Sequence, residues 1–523
     1  MKIFLSCNYR LLIRYCVLGL VIITNPLFTF SQNSSNQTML VGYYGGSNID
    51  SVYRNYMEVE RVDTGLLFRR ITIDNYYDLA TSQNSTYCDD NGIPQLQWQG
   101  CYILDSKTLT PIENGDFDFG IGTKSGGGQF CQTIKYQHDP GPGALFGYDF
   151  NFGSFFINTG DINNILLVYY RYTNELNVSL RLARIDLKGT IDNKPLVVYK
   201  DSIIAENIKI RYGSVNAIKH GNGKNWFIAF SEQFSSNYYS ILIDENGIHS
   251  PEKSIIQEQD STKYFEGTSI FSPNGNFYSV YYDEEFFVLN FDRCEGKFKI
   301  FFHDTIPEDS GSLFIGFTEF SPNNRFLYVN NLTTIYQFDL EATDIPSSRT
   351  TIAQFDYTQY SGIPDHPSIP GVFDNPFRGK DNRLYYWAGN TSPKIHRIDR
   401  PNEKGPDVGF TQYYYTTPIG PPWYGPTLID YDTPNLPEPC LLRSNKIDGI
   451  EINFMPNPTN GFLKAIFKDQ HNYRIASIID INGRVLWKDE ARKLVDGINV
   501  EKYSGGIYHL LFDGKYVGRF VKI

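Results

Sequence analysis

The chain has 523 residues, more than one ordinary hydrophobic core holds, since cores rarely grow past about 250–300 residues unless built from repeats or barrels. Tyr and Phe (38 each) far outnumber Met (4), and 44 Gly and 27 Pro are spread along the chain, a balance that favours strands and turns over helices. The net charge of −11 argues against nucleic acid as a partner, because phosphate contacts need clustered Lys and Arg.

Residues 1–31 read as a signal peptide. Lys2, Arg10 and Arg14 form a positive start without an acid, and residues 15–24 form an apolar run broken by Asn25-Pro26. Thr29-Phe30-Ser31 places small residues where a signal peptidase reads, so the mature chain is expected to begin at Gln32. The apolar run falls short of the ~20 residues a retained membrane helix needs. Cys7 and Cys16 do not follow the apolar core, as a lipid-attachment cysteine would. Without these residues the charge is −14; residues 446–523 carry +3, which leaves −17 on the body, an acidic extracellular surface.

Five cysteines remain: Cys88, Cys101, Cys131, Cys294 and Cys440. An exported chain permits up to two bridges with one thiol left over, and the closeness of Cys88, Cys101 and Cys131 places one expected bridge among those three. No C-x-x-C pair or nearby histidine supports a metal site instead.

The body repeats itself. Phe271-Ser272-Pro273-Asn274-Gly275-Asn276-Phe277 opens a unit that closes at Phe291-Asp292-Arg293-Cys294-Glu295-Gly296. Phe320-Ser321-Pro322-Asn323-Asn324-Arg325-Phe326 opens another, closing at Phe338-Asp339-Leu340. The two serines lie 49 residues apart and the two aspartates 47, a period expected of propeller blades. The closing pattern, an apolar strand, an aspartate and a turn, recurs at Asp186, Asp244 and Asp399, with an earlier copy at Asp105. The 81 residues between Asp105 and Asp186 hold an insertion or a degenerate blade. Turn chemistry precedes each strand: proline presets its dihedral and Asn-Gly accepts the left-handed one. His220-Gly221-Asn222-Gly223 serves before Trp226, and Gly379 to Arg383 before Leu384. Five clear units with residues 40–160 give six to eight blades over 32–404, with seven favoured.

Residues 320–329 followed by Ile335 to Leu340 resemble the repeat of lactonase-like and WD-type seven-bladed propellers. Phe291 to Gly296 and His220 to Gly223 resemble motifs of a group of secreted bacterial propeller proteins. Eight prolines between 405 and 445 exclude central strands and predict a closing strap and linker over 405–448.

From 449 the pattern changes to a small Ig-like antiparallel sandwich, with hairpins about Asn482-Gly483 and Asp513-Gly514. Pro456-Asn457-Pro458 with Gly461, Asn482-Gly483 before Arg484, Gly506 with Tyr508, and the ending at Lys522 resemble the type A sorting domain of type IX secretion over 449–523. The resemblance implies the type IX secretion machinery as partner and export to the surface of a Gram-negative cell, or release from it.

Catalytic candidates are few. G-x-S-x-G, H-E-x-x-H and phosphate-loop motifs are lacking. His220 beside Trp226 reads as a blade turn rather than a general base. Glu113, Asp116 and Asp118 read as a solvated loop rather than a calcium site. Asp283-Glu284-Glu285 adjoin on a hairpin tip, where glycoside hydrolysis needs carboxylates facing each other across about 5–9 Å. The reading is therefore a non-enzymatic binding module for an extracellular glycan or protein, with no catalytic, cofactor or metal residues expected. The alternative is a propeller hydrolase or lactonase-like enzyme with its site at one end of the central channel.

Overall fold

The computed structural model describes residues 38–522 apart from 43–54, 73–83, 101, 118–152, 160, 162–163, 175–176, 190–193, 212, 245–246, 257–267, 283–284, 307–315, 360–371, 390–391, 419–432, 437–439, 441–451, 456–458, 468–474, 481–483 and 513–514. The proposed signal peptide lies outside the described residues.

Two local devices explain the repeat. In the opening turns a serine and an asparagine replace the backbone partners that the bend removes. Ser272 Oγ accepts from Phe277 N (3.0 Å) and Asn274 Oδ1 from Asn276 N (3.0 Å). Ser321 and Asn323 do the same for Phe326 N (2.8 Å) and Arg325 N (3.1 Å). Gly275 (φ 72°) and Asn324 (φ 63°) take the left-handed position. In the closing turns the aspartate caps the chain reversal. Asp105 accepts from Lys107 N and Thr108 N, Asp186 from Lys188 N and Gly189 N, and Asp292 from Cys294 N and Glu295 N, at 2.8–3.1 Å.

Seven sheets result among the described residues of the body. Sheet one is β1 (Thr38–Gly42), β2 (Asn55–Val62) and β3 (Gly65–Thr72). Sheet two is β4 (Asn84–Cys88), β5 (Pro94–Gln99), β6 (Tyr102–Asp105) and β7 (Thr110–Asp116). Sheet three is β8 (Phe155–Asn158), β9 (Asn164–Asn174), β10 (Asn177–Asp186) and β11 (Leu196–Ala205), bridged to sheet two by one parallel pair, Leu196 with Glu113. Sheet four is β12 (Asn216–Lys219), β13 (Trp226–Ser231) and β14 (Asn237–Asp244), with β15 (Gly247–Ile248) and β16 (Glu252–Ile255) both paired to β14.

Sheet five is β17 (Ser269–Phe271), β18 (Phe277–Tyr282), β19 (Glu285–Asp292) and β20 (Lys297–Thr305). Sheet six is β21 (Gly316–Phe320), β22 (Phe326–Asn331), β23 (Thr334–Asp339) and β24 (Thr350–Gln354). Sheet seven is β25 (Phe373–Arg378), β26 (Leu384–Ala388), β27 (Lys394–Ile398) and β28 (Phe410–Thr416). The recurring aspartates from Asp105 to Asp399 close the third strand of sheets two to seven or follow it directly. Between Asp105 and Asp186 no further sheet occurs among the described residues, and residues 118–152 of that interval lie outside them. The strand Phe410–Thr416 falls within the stretch that proline density assigns to the strap. Only Pro406 precedes it, in the first turn of a short 3-10 segment where no N–H is needed.

The sheets pack in cyclic order. Separate apolar clusters join sheets two and three, three and four, four and five, five and six, and six and seven. A further cluster joins seven back to one through Phe377, Tyr385 and Trp387 against Met39, Met57 and Val59. Sheets one and two meet through Leu40 N donating to Thr86 Oγ1 (3.0 Å) and Thr38 Oγ1 donating to Gly92 O (2.9 Å). Each sheet buries both faces only against its neighbours, which makes the body a propeller, with seven blades among the described residues. In a four-stranded meander the first and third turns emerge at one end, so the opening and closing turns share one face of the ring. They touch there: Asn274 N donates to Asn324 Oδ1 (2.8 Å) and Asn323 N to Asn402 Oδ1 (3.0 Å).

The C-terminal module is a separate antiparallel sandwich. One sheet is β29 (Ile452–Met455), β30 (Phe462–Phe467) and β33 (Ile498–Asn499); the other is β32 (Val485–Glu490), β31 (Ile475–Ile479), β34 (Gly506–Phe512) and β35 (Lys515–Lys522). Leu463, Ala476, Ile478, Leu510, Phe512 and Phe520 lie in its core, with Leu494 from the five-residue helix α1 (Arg492–Asp496).

The expected bridge among the first three cysteines is corrected for Cys88. It is a buried free thiol whose Sγ donates to Thr38 O at 3.3 Å, tying β4 to β1, and burial pushes its pKa up to about 12. Cys101 and Cys131 lie outside the described residues. Among the described residues a bridge joins Cys294 to Cys440.

Candidate functional site

In the sandwich, pairing collects sequence-distant motif residues at one end. β31 runs antiparallel to β34 with Ile479 opposite His509, so the turn after Ile479 lies beside the start of β34. That turn is closed by Asp480 N donating to Arg484 O (3.1 Å) and Arg484 N to Asp480 Oδ1 (2.9 Å). Gly506, which opens β34, pairs with Lys522 of β35, and Lys522 forms a parallel bridge with Thr459. Thr459 is buried and donates to Phe462 O (2.6 Å), and Gly461 O accepts from Val500 N (2.8 Å). Pro456, Asn457, Pro458, Asn482 and Gly483 lie outside the described residues, but their chain neighbours Thr459 and Arg484 are at this end.

Tyr508 anchors the end from within. Its hydroxyl donates to Ser504 O (2.6 Å), and its ring stacks on Phe520 (5.5 Å between centroids) and tilts against Tyr503 (5.2 Å). Burial and the neighbouring Tyr508 raise the Tyr503 hydroxyl above its ordinary pKa. Lys522 is buried although it is a lysine, its stem covered by the sheet end.

On the ring, His220 belongs to its turn. Nδ1 accepts from Asn222 N (3.1 Å), the ring lies against Phe227 (5.4 Å), and burial lowers its pKa. Glu113 and Asp116 lie on the strand β7 rather than in a loop, with Glu113 exposed, and Asp118 lies outside the described residues. Glu285 opens β19, while Asp283 and Glu284 lie outside the described residues. Among the described residues no cluster of three His, Cys, Asp or Glu could hold a metal ion.

One carboxyl escaped the sequence reading. Asp374 is buried near the start of β25, the first strand of sheet seven, where the ladder to β26 shifts register between Phe373 and Pro376. Oδ1 accepts from Asn375 N (2.7 Å), and a Cβ on Gly389 would stand 2.9 Å from Oδ2. Burial pushes this carboxyl up to about 7, against the pull of the Asn375 N–H. Neighbouring Phe-Asp-Asn residues match no motif; only the shift in the ladder marks the place.

Residues 453–517 match the family described as the secretion system C-terminal sorting domain. The chain therefore carries a type IX sorting domain, partners the type IX secretion machinery, and is exported to the cell surface or the extracellular space. No curated protein matches the chain. Among solved structures, a candidate 6-phosphogluconolactonase from Bacteroides fragilis aligns at 12% identity, covering 75% of this chain and 97% of that one, with a TM-score of 0.41. PorZ, an essential surface component of the type IX secretion system of Porphyromonas gingivalis, aligns at 13% identity over 90% of this chain and 63% of its own, with a TM-score of 0.33. An oligogalacturonate lyase in complex with manganese aligns at 10% identity over 67% and 86%, with a TM-score of 0.32. At such scores the architecture rests on this chain's own strand order. Among the described residues no helix is long and apolar enough to cross a membrane.

Proposed function

We propose that the chain is a two-part export product. Residues 1–31 direct it across the inner membrane, the sandwich over 449–523 carries it through the outer one, and the ring works outside as a non-enzymatic module that binds a glycan or a protein. The observation that carries the reading is the sorting-domain match at residues 453–517. The motif end described above, with Gly461, Gly506, Tyr508 and Lys522, is the face offered to the secretion machinery.

Binding by the ring is supported by aromatic side chains left at its surface. Phe234, Tyr357 and Tyr414 are 41%, 60% and 42% exposed, and such rings stack on sugar faces or pack against a protein partner at low entropic cost. The second reading, a hydrolase or lactonase-like enzyme, is favoured by Asp374, a buried carboxyl on a first strand that titrates near neutrality. A glycan array probed with residues 32–448, wild type and Asp374→Asn, separates the two. Equal retention of one glycan class by both proteins supports binding. Turnover of lactone or glycoside substrates by wild type, lost in Asp374→Asn, replaces it with the enzyme.

A further inference from the structure

Two motifs of the ring are left over by the repeat. Where sheets five and six open with Ser-Pro-Asn turns, sheet four opens with His220-Gly221-Asn222-Gly223. Where other closing turns need only the aspartate, sheet five adds Arg293-Cys294. In the structure these two turns are adjacent, with Gly221 N donating to Arg293 O (2.9 Å), and together they seat the strap.

The fit is specific. Leu436 N donates to Gly221 O at 3.0 Å. The buried Arg293 guanidinium donates to four carbonyls, Lys219 O (2.9 Å), His220 O (3.5 Å), Asn274 O (3.1 Å) and Pro434 O of the strap (2.7 Å), so it joins sheet four, sheet five and strap at one point. Neither glycine has room for a side chain. A Cβ on Gly221 would stand 2.3 Å from Cys440 Sγ and 2.5 Å from Leu436 Cδ1. One on Gly223 (φ 74°) would stand 1.8 Å from Asn435 Oδ1. The buried Cys294–Cys440 bridge closes the contact across 146 residues.

We propose that strap and seat form a redox latch. The bridge forms once sheets four and five have assembled the seat, and it then fixes to the turn face of the ring the segment that leads into the sorting domain. The chemistry is thiol–disulfide exchange with an oxidised dithiol protein or small disulfide. One cysteine thiolate attacks the partner's disulfide and releases one partner thiol. The second cysteine then attacks the mixed disulfide and releases the other. The two cysteines lose two electrons and two protons, and the partner's disulfide is reduced to two thiols. Cys440 lies 12 residues before Ile452, so the latch holds the sorting domain within about 40 Å of the seat. The strap stays on the ring when the sorting domain is removed beyond Cys440.

The test uses the full mature chain collected outside the cell. Alkylation under denaturing, non-reducing conditions should leave Cys294 and Cys440 unlabelled. Limited proteolysis should spare residues 433–440 in the oxidised chain. Reduction, or Cys440→Ser, should speed cutting there roughly tenfold or more while the sheets stay resistant. Gly223→Val, which keeps both cysteines but blocks the seat, should slow re-formation of the bridge after reduction by a similar factor. If Cys440→Ser does not fold, the reduced wild type carries the comparison. Labelled cysteines in the exported chain, equal cutting with and without the bridge, or unchanged re-oxidation of Gly223→Val would each overturn the latch.

Discussion

Asp374 makes the stability of the ring depend on pH in an unusual direction. Its carboxyl has an ordinary value of 3.8 and stands at about 7 in the folded chain, because burial penalises the charged form. The folded state therefore holds this proton over a range in which the unfolded chain has already lost it. The stabilisation is complete below about pH 4, falls as pH rises, and is gone above about pH 7. The distance from 3.8 to about 7, at about 1.36 kcal/mol for each tenfold change in proton affinity, amounts to about 4 kcal/mol.

In Asp374→Asn this titration is absent, so the difference between variant and wild type isolates it from the other acids. Between pH 4.5 and 7.5 the variant should gain about 3 kcal/mol relative to wild type. For a cooperative unit of this size that is about 4 °C in thermal midpoint, read by circular dichroism at matched scan rates. A midpoint difference that stays constant over this range would show that Asp374 does not hold its proton in the fold.

Three further outcomes follow from the geometry. Cys294→Ser should lower the midpoint of the ring, since a bridge closing 146 residues is worth about 5 kcal/mol in the chain-entropy account, and wild type in reductant should match it; an unchanged midpoint would refute that account here. Tyr508→Ala should cost the isolated sandwich about 3–5 kcal/mol in urea unfolding, because the ring is buried between Tyr503 and Phe520; a loss under 1 kcal/mol would place the ring outside the core. Asp292→Ala should cost the ring about 1–3 kcal/mol by leaving Cys294 N and Glu295 N without their acceptor, and Asp292→Asn should recover most of it.

The ring was legible wherever a turn carries its own chemistry. The recurring aspartates mark sheets two to seven because a side-chain cap at a chain reversal is a local device, written within a few residues. Phe462–Phe467 and the hairpin around Arg484 were legible for the same reason. The contacts that close over long separations were not. Nothing near Cys294 points to Cys440, because the bridge depends on where the strap crosses sheets four and five. Nearness along the chain pointed to a bridge among Cys88, Cys101 and Cys131 instead, and of these the Cys88 thiol is free, buried and bonded to Thr38 O of β1. Pro406 came before the last strand rather than ending the ring, since its place in a 3-10 turn is set by the strand that follows. Asp374 carries no motif at all; its chemistry comes from burial, which only packing creates.

The sandwich is the export signal, and the ring cannot replace it. Deleting residues 449–523 and following the ring by immunoblot in periplasm, on the cell surface and in culture medium tests this directly. Retention of a folded, protease-resistant ring in the periplasm, with none outside, is the predicted result. The same ring reaching surface or medium at wild-type levels would contradict the account.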